Sequence, residues 1–149
     1  METNPVVTAL RREQASALVL YLNYKKFHWL TFGPHFRDYH LLFGEHADQV
    51  LESVDELAER ALMIDGKPIA DPAQYLPASF VEPSQGERGV KQMVEEAIAA
   101  HDKVIRAMHD DAGVATKAGD IGTADLFTRL VQVHQKQRWF LKEIAREER

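Results

Sequence analysis

The sequence predicts an all-α fold, a four-helix bundle whose second and third helices are joined by a long crossover containing a short helix. Four long stretches place apolar residues near the helical period, and almost nothing alternates in the manner of a β-strand. About twenty residues separate the second and third stretches, which is unusual between adjacent antiparallel helices and long enough to cross a bundle. The chain has 149 residues and 45% hydrophobic content, so we expect a single domain, residues 1–149.

Glycine and proline mark the first predicted hairpin. The first helix runs from about residue 6 to residue 30 and ends before Gly33-Pro34, because proline disfavours helical geometry in the residue before it. The second runs from about residue 36 to residue 64 and ends at the Asp-Gly-Lys-Pro run of residues 65–68. Its predicted buried stripe consists of Leu41, Leu42, Val50, Leu51, Val54, Leu57, Ala58, Ala61 and Leu62.

The crossover and the second hairpin follow the same signals. Residues 68–88 carry four prolines, with a short helical turn predicted near residues 72–76. The third helix is predicted from about residue 89 to residue 116, and the fourth from about residue 123 to residue 146 with Thr123 as candidate N-cap. Two helical hairpins joined by one long crossover are therefore expected.

Composition excludes several function classes. The formal charge of −5 and the pI near 5.8 disfavour a protein built mainly to hold polyanions. The absence of cysteine excludes disulfides, thiolate zinc sites and a cysteine nucleophile, and it fits a reducing compartment. No stretch approaches the roughly 18 to 20 apolar residues of a membrane span, and the N-terminus lacks the features of a signal peptide. A cytoplasmic location is predicted.

Two histidines and two carboxylates at helical intervals predict a metal site. His28 and His40 flank the predicted corner between the first two helices, so their imidazoles can face one another. Asp55 and Glu59 are four residues apart and project from one face of the second helix. Asp55, however, lies about 22 Å along the axis from His40 at about 1.5 Å per residue. Two antiparallel copies of the hairpin could join the two pairs, which indicates a site between subunits.

Imidazole and carboxylate ligands without sulfur suit iron, zinc or manganese. Iron(II) held by them can pass electrons to an oxidant, and acidic residues nearby could collect ferric product. The candidates for that surface are Glu45, His46, Asp48, Glu52 and Glu56. The alternatives stay open at this point: the histidines could be structural, and the carboxylates could be solvated or paired with Arg60 and Lys67.

The same residues carry a family resemblance. The run KKFHWL at residues 25–30, followed by Gly33, Phe36 and His40, DELAER at residues 55–60 and GKP at residues 66–68, resembles the Dps miniferritins, the DNA-binding proteins from starved cells. The similarity continues at Gly119-Asp120 and residues 138–140 and so covers most of the chain. Residues 21–24 and 118–141 are similar to the cyanobacterial branch.

The resemblance implies a hollow dodecamer of ferritin-like four-helix bundles. Members oxidise iron(II), preferably with hydrogen peroxide, at ferroxidase centres on twofold interfaces, and they store ferric mineral inside as protection against oxidative stress. By this resemblance His28 and His40 bind metal from one subunit, and Asp55 and Glu59 bind it from the neighbour. Trp29 would correspond to an aromatic residue that intercepts radicals, or would simply be buried at the interface.

Four further positions bear on the implied site and pore. Asp120 and Asp125 fall where members place acidic residues around a threefold pore, although a capped, solvated turn explains them as well. Gly44 departs from the pattern, because many members have an acidic ligand there; its loss could shift metal preference towards zinc. His134 is a candidate third histidine ligand, with a core or surface role as the alternative.

DNA binding is not expected despite the family name. The first ten residues contain no lysine or arginine, and residues 146–149 (Arg-Glu-Glu-Arg) are charge-balanced. The leading interpretation is a ferroxidase that stores iron. The alternatives are a DNA-compacting nucleoid protein with weak or vestigial ferroxidase activity, and a purely structural helical oligomer.

Overall fold

The computed structural model describes residues 4–146 and contains four long helices in two hairpins. The first hairpin consists of α1 (Pro5–Leu30) and α2 (Phe36–Met63), and the second consists of α4 (Val90–Lys117) and α5 (Ile121–Ala145). The crossover carries a 3-10 turn, Pro72–Gln74, that leads into the short α3 (Tyr75–Ala78). The predicted all-α bundle with a helix in its crossover is confirmed.

The helix boundaries follow from capping. The Asn4 side chain accepts a hydrogen bond from the Val6 backbone at the start of α1, and Thr31 N–H donates to Phe27 at its end. At α5 the expected cap was wrong. Asp120, not Thr123, is the N-cap, and its carboxylate accepts from the Thr123 backbone at 3.0 Å. A carboxylate one turn earlier reaches that N–H, so α5 begins two residues before the prediction.

The core lies between the two hairpins and is mostly apolar. Its largest fully buried side chains include Tyr24, Phe27, Phe43 and Phe127. Within residues 4–146, no helix is both long enough and apolar enough to cross a membrane. Residues 147–149 of the charge-balanced segment 146–149 and the first three residues, on which the DNA prediction partly rests, lie outside the described part of the chain.

Part of the predicted stripe of α2 does not enter this core. Leu41, Leu51 and Leu62 are 46%, 41% and 57% exposed, which corrects their assignment as buried residues. The core-facing positions are taken by residues such as Phe43, Ala47 and others at the same helical spacing. α2 therefore has two apolar stripes, one in the core and one on the surface of the chain.

Candidate metal centre

The end of α1 and the start of α2 bring His28 and His40 together. The two imidazole rings are stacked, with centroids 3.7 Å apart and planes inclined by 16°. His28 Nδ1 lies 2.5 Å from the carbonyl oxygen of His40, and His40 Nδ1 lies 2.6 Å from the carbonyl oxygen of His28. Two reciprocal hydrogen bonds thus hold the pair across the corner.

These hydrogen bonds determine which ring nitrogen remains available. A carbonyl oxygen only accepts, so Nδ1 of each ring carries the proton and donates it. Nε2 is then the ring atom left without a partner among these hydrogen bonds, and it is the atom through which a neutral imidazole with a proton on Nδ1 binds a metal ion. The histidine pair therefore fits the metal-binding role predicted for it.

Gly44 lies against the His28 ring. A Cβ atom at residue 44 would be 3.0 Å from His28 Nδ1 and 3.1 Å from His28 Cε1. Because these separations are tighter than ordinary packing allows, the ring occupies space that a side chain at this position would need. The glycine that departs from the family pattern makes room for the observed ring.

The predicted carboxylates lie on the exposed side of α2, one turn apart at Asp55 and Glu59. Neither forms an ion pair within the described residues, and Arg60 instead donates to Asp120 at 2.9 Å and to Thr123 at 3.0 Å. Between residues 4 and 146, no group of three or more His, Asp or Glu side chains is placed to hold a metal ion. The structure brings the histidines together but does not bring the carboxylates to them within one chain.

The surface around the histidine pair is apolar. Trp29, beside His28, is 64% exposed, and the ammonium group of Lys25 lies 5.6 Å from its ring centroid. Other large apolar side chains exposed near this corner are Leu30, Phe32, Phe36 and Leu41. An exposed apolar surface of this kind is typical of a protein interface.

His134 lies in the bundle core. Its Nδ1 is 3.0 Å from Nδ1 of His101, and the two rings are 5.1 Å apart. His134 is 2% exposed and forms no group with His28 and His40 among the described residues. Its role as a third ligand stays a prediction to which the geometry of the chain adds no support.

The core holds two further histidines that the sequence interpretation did not place there. His46 was assigned to an acidic surface, which is wrong, because it is 2% exposed. His101 received no role, and it is completely buried. Burial lowers the pKa of His46 and of His134 to about 4, and it lowers the pKa of His101 well below its ordinary value. The three imidazoles are therefore neutral near pH 7.

The two acidic residues assigned to a pore have different environments. Asp120 caps α5, and its carboxylate also accepts from Arg60 and from the Thr123 hydroxyl at 2.6 Å. Burial alone would raise the pKa of Asp120, but the hydrogen bonds from Thr123 and Arg60 outweigh it and lower that pKa. Asp125 is exposed and forms no ion pair in the described chain. The structure thus gives Asp120 a structural role and leaves a pore role for either residue as a prediction.

Comparison with known proteins gives consistent matches over nearly the whole chain. A family model described as a ferritin-like domain matches residues 7–149. The chain is 34% identical over 149 residues to DNA protection during starvation protein 1 of Deinococcus radiodurans, covering 99% of this chain and 72% of that protein. A low temperature-induced protein of Nostoc is 30% identical over 139 residues, covering 92% of this chain and 78% of that protein.

Solved structures give the same result. The structure of Dps from Thermosynechococcus elongatus is 64% identical and superposes with a TM-score of 0.95, covering 96% of this chain and 91% of that chain. A Dps protein from Bacillus brevis is 30% identical with a TM-score of 0.94, covering 98% of this chain and 100% of that chain.

Proposed function

Because the chain belongs to the ferritin-like family and, within it, to the Dps miniferritins, we propose that it oxidises iron(II) and stores the ferric product in a homo-oligomer. The proposed ferroxidase centre lies at a twofold interface, with His28 and His40 from one subunit and Asp55 and Glu59 from its neighbour. Trp29 lies beside this centre and is proposed to intercept radicals formed there.

The observation that carries this proposal is the reciprocal histidine pair. Both Nε2 atoms of His28 and His40 are free acceptors, held in position by the backbone of the opposite helix. The ligands are preorganised before iron arrives, which lowers the entropic cost of binding. The apolar side chains around the pair would be buried by a second copy, since an isologous interface uses the same patch twice.

The proposed chemistry treats iron(II) as the substrate. Two iron(II) ions each give one electron to one hydrogen peroxide, whose O–O bond breaks to give two hydroxide ions. The two ferric ions then hydrolyse to oxyhydroxide with release of protons. The imidazoles donate lone pairs to iron(II), while the carboxylates of Asp55 and Glu59 neutralise its charge and accept protons from hydrolysis. The exposed acidic residues of α2 would then hold ferric ions.

Several finer features belong to the same proposal. Hydrogen peroxide is the proposed oxidant, the hollow dodecamer is the proposed assembly, and the cytoplasm is the proposed compartment. Iron rests on family membership, whereas zinc rests only on the missing carboxylate at Gly44. In place of the carboxylate ligand missing at Gly44, we propose water or, less directly, the side chain of Glu45.

The first test is anaerobic iron(II) loading of purified protein, followed by hydrogen peroxide, with ferric absorbance recorded over time. We expect rapid oxidation to soluble mineral in the wild type and its loss in His28→Ala/His40→Ala. His109→Ala is the matched control, because that side chain is 87% exposed and lies on α4. Equal rates in the wild type and the double variant would show that the pair is not the oxidising centre.

The interface location needs a test of its own. His28→Ala/His40→Ala and Asp55→Ala/Glu59→Ala subunits should be inactive as separate homo-oligomers. Denatured together and refolded as a mixture, they should recover activity at about a quarter of the sites, because a mixed twofold pair contains one intact centre. Activity in the mixture no higher than in the separate variants would place all four ligands outside a shared site.

A further inference from the structure

Tyr24 is completely buried, and its hydroxyl lies between two histidines. The phenolic oxygen is 2.5 Å from Nε2 of His101 and 3.1 Å from Nδ1 of His46. His101 in turn contacts His134 through Nδ1 at 3.0 Å. α1, α2, α4 and α5 each supply one member of this chain of four groups, which we call the core relay.

The hydrogen bonds of the core relay are directional. Each of its neutral groups has a single proton to donate, and the relay contains three hydrogen bonds. When the Tyr24 hydroxyl donates to one imidazole and accepts from the other, all three bonds form with every proton pointing the same way along the series His46, Tyr24, His101 and His134. Both directions satisfy the bonds, so a proton can leave the Tyr24 oxygen towards either neighbouring imidazole.

The electrostatics of the core favour proton transfer only together with electron loss. Burial raises the pKa of Tyr24 well above its ordinary value, so the phenolate does not form at neutral pH. Burial keeps both adjacent imidazoles neutral. Nε2 of His101 lies 2.5 Å from the phenolic oxygen and Nδ1 of His46 lies 3.1 Å from it. Oxidation makes a phenol a strong acid, and Nε2 of His101 is a base within hydrogen-bond distance that can take its proton, so the positive charge moves from the phenol to that imidazole.

We propose that Tyr24 is a redox-active residue, which gives one electron to a strong one-electron oxidant while its phenolic proton passes to Nε2 of His101. With hydroxyl radical as the oxidant, the radical is reduced to hydroxide, Tyr24 becomes a neutral tyrosyl radical and His101 becomes an imidazolium. The O–H bond of Tyr24 breaks and the N–H bond of His101 forms, so atoms and charge balance.

The position of Tyr24 suits it to this reaction. It lies four residues before His28 on α1, one helical turn and roughly 5–6 Å between Cβ atoms. Hydroxyl radical arises when a single iron(II) ion reduces hydrogen peroxide by one electron, a side reaction of the two-iron oxidation, and this source rests on the proposed function. A radical on a fully buried ring is shielded from other molecules, so oxidation would be held inside the bundle.

Among the tyrosines of the described chain, Tyr24 has a distinct hydrogen-bonding environment. The hydroxyl of Tyr75 also forms hydrogen bonds, but its partners are the carbonyl of Ile69 and the amide of Gln14. Neither partner is a base that can hold a phenolic proton. Tyr75→Phe is therefore the matched control for Tyr24→Phe, since each variant removes one hydrogen-bonded hydroxyl.

The test uses the whole protein without iron. A photogenerated ruthenium(III) polypyridyl complex serves as one-electron oxidant, and radicals are recorded by electron paramagnetic resonance after rapid freezing. We expect a tyrosyl signal in the wild type and in Tyr75→Phe, its loss in Tyr24→Phe, and slower formation in deuterium oxide. His101→Gln retains an acceptor oxygen but no base, so its signal should fall several-fold. Circular dichroism verifies that each variant is folded.

Equal tyrosyl signals in the wild type, Tyr24→Phe and His101→Gln, with all three proteins folded, would overturn the proposal. A second arm replaces the ruthenium oxidant with iron(II) and hydrogen peroxide. Loss of the signal in His28→Ala/His40→Ala in this arm alone supports a link to the proposed ferroxidase centre. A signal with ruthenium combined with no iron oxidation in the wild type refutes the ferroxidase and leaves the Tyr24 assignment supported.

Discussion

His28 and His40 each donate a hydrogen bond to the backbone carbonyl of the other, and their rings are stacked 3.7 Å apart across the α1–α2 corner. Each ring is thus oriented by the helix on which the other ring resides. Relative movement of the two helices would disturb both rings together. The residues that set the distance between α1 and α2 at this corner therefore control the centre as directly as the ligands do.

Gly44 is the clearest of these residues. Gly44→Ala adds a Cβ atom 3.0 Å from His28 Nδ1, so the ring must move and its hydrogen bond to the His40 carbonyl must weaken. Loss of a bond that orients a ligand typically costs 10- to 100-fold in metal affinity, and we expect about tenfold or more here. Anaerobic titration with iron(II) and with zinc measures the effect.

Gly113→Ala provides the control for that experiment. Gly113 is in α4, and an added Cβ there would meet nothing within 4 Å. It should leave metal affinity unchanged and stabilise the helix by about 0.5–1 kcal/mol. Comparison of Gly44→Asp with Gly44→Ala separates two effects, because both variants displace the ring and only Gly44→Asp restores a carboxylate. Iron(II) and zinc affinities unchanged in both Gly44 variants would contradict the assigned role of this glycine.

The sequence predicted the corner that brings the two histidines together, but it did not predict which apolar residues of α2 lie on the surface. The corner between α1 and α2 follows from Gly33-Pro34, and it correctly predicted that His28 and His40 face each other. The surface apolar stripe of α2 was not separable from its core stripe. Leu41, Leu51 and Leu62 recur at helical spacing in the same way as core leucines, and hydrophobicity does not say which neighbour covers a stripe.

The burial of two histidines was not predicted, although the sequence contained a signal for it. His46 was assigned to a polar surface and His101 was given no role. The spacing of His46 nevertheless indicates burial, because it precedes Ala47 and lies three residues after Phe43. Position on the buried stripe would have found them, because a polar residue there must have a partner inside the core. The identity of that partner depends on how four helices pack, which no local pattern contains.

A buried carboxyl pair predicts one pH dependence. Glu13 is 1% exposed, neither of its carboxylate oxygens has a hydrogen-bond donor, and it faces Asp111. Burial raises the pKa of Glu13 well above its ordinary value; the neighbouring Asp111 carboxylate raises it further, and the charge of Arg12 opposes this. The folded protein therefore binds a proton that the unfolded chain releases above about pH 4.3.

Stability from this proton is present below the unfolded pKa and is lost as pH rises through the folded one. Glu13→Gln places an uncharged amide beside Asp111, so it should be more stable than the wild type at pH 8, by about 1–3 kcal/mol. Urea unfolding at pH 5 and pH 8 tests this, with exposed Glu95→Gln as control. An identical pH dependence in the wild type and Glu13→Gln would show that Glu13 does not bind this proton in the folded protein.

The core histidines predict the opposite dependence at lower pH. The pKa of His134 is about 4 in the folded protein against about 6.5 when unfolded, so the unfolded chain binds more protons between these values. Stability is lost as pH falls through this window, by about 3 kcal/mol for one such imidazole once pH 4 is reached.

His134→Gln should reduce this acid sensitivity, although it also lowers stability at neutral pH by disturbing the bond to His101. His109→Gln should leave the dependence unchanged, because that side chain is 87% exposed. Unfolding free energies measured from pH 7 to pH 4 provide the comparison. The same slope in all three proteins would show that His134 does not titrate as its burial requires.

The contrast between Asp120 and Asp125 predicts different consequences for stability and iron uptake. Asp120→Ala removes the N-cap of α5 and the partner of Arg60, so it should destabilise the protein by about 1–2 kcal/mol. Asp125→Ala should leave the melting temperature nearly unchanged, and it should slow iron uptake if Asp125 lines a pore. Thermal melts and uptake rates separate the effects; a large loss of stability in Asp125→Ala would contradict the assignment of its side chain to solvent.

Charge predicts that the protein does not bind DNA at neutral pH. Each chain carries −5, and the first ten residues contain no lysine or arginine, so an assembly of many chains repels phosphate rather than neutralising it. Plasmid mixed with the wild type at moderate salt should migrate unretarded in a gel. Glu2→Lys/Thr3→Lys adds two lysines next to the N-terminus of every subunit and leaves the Asn4 cap of α1 intact, so it should retard the plasmid in a salt-dependent way. Retardation by the wild type itself would favour DNA compaction, and it would show that basic side chains elsewhere on the surface overcome the net charge.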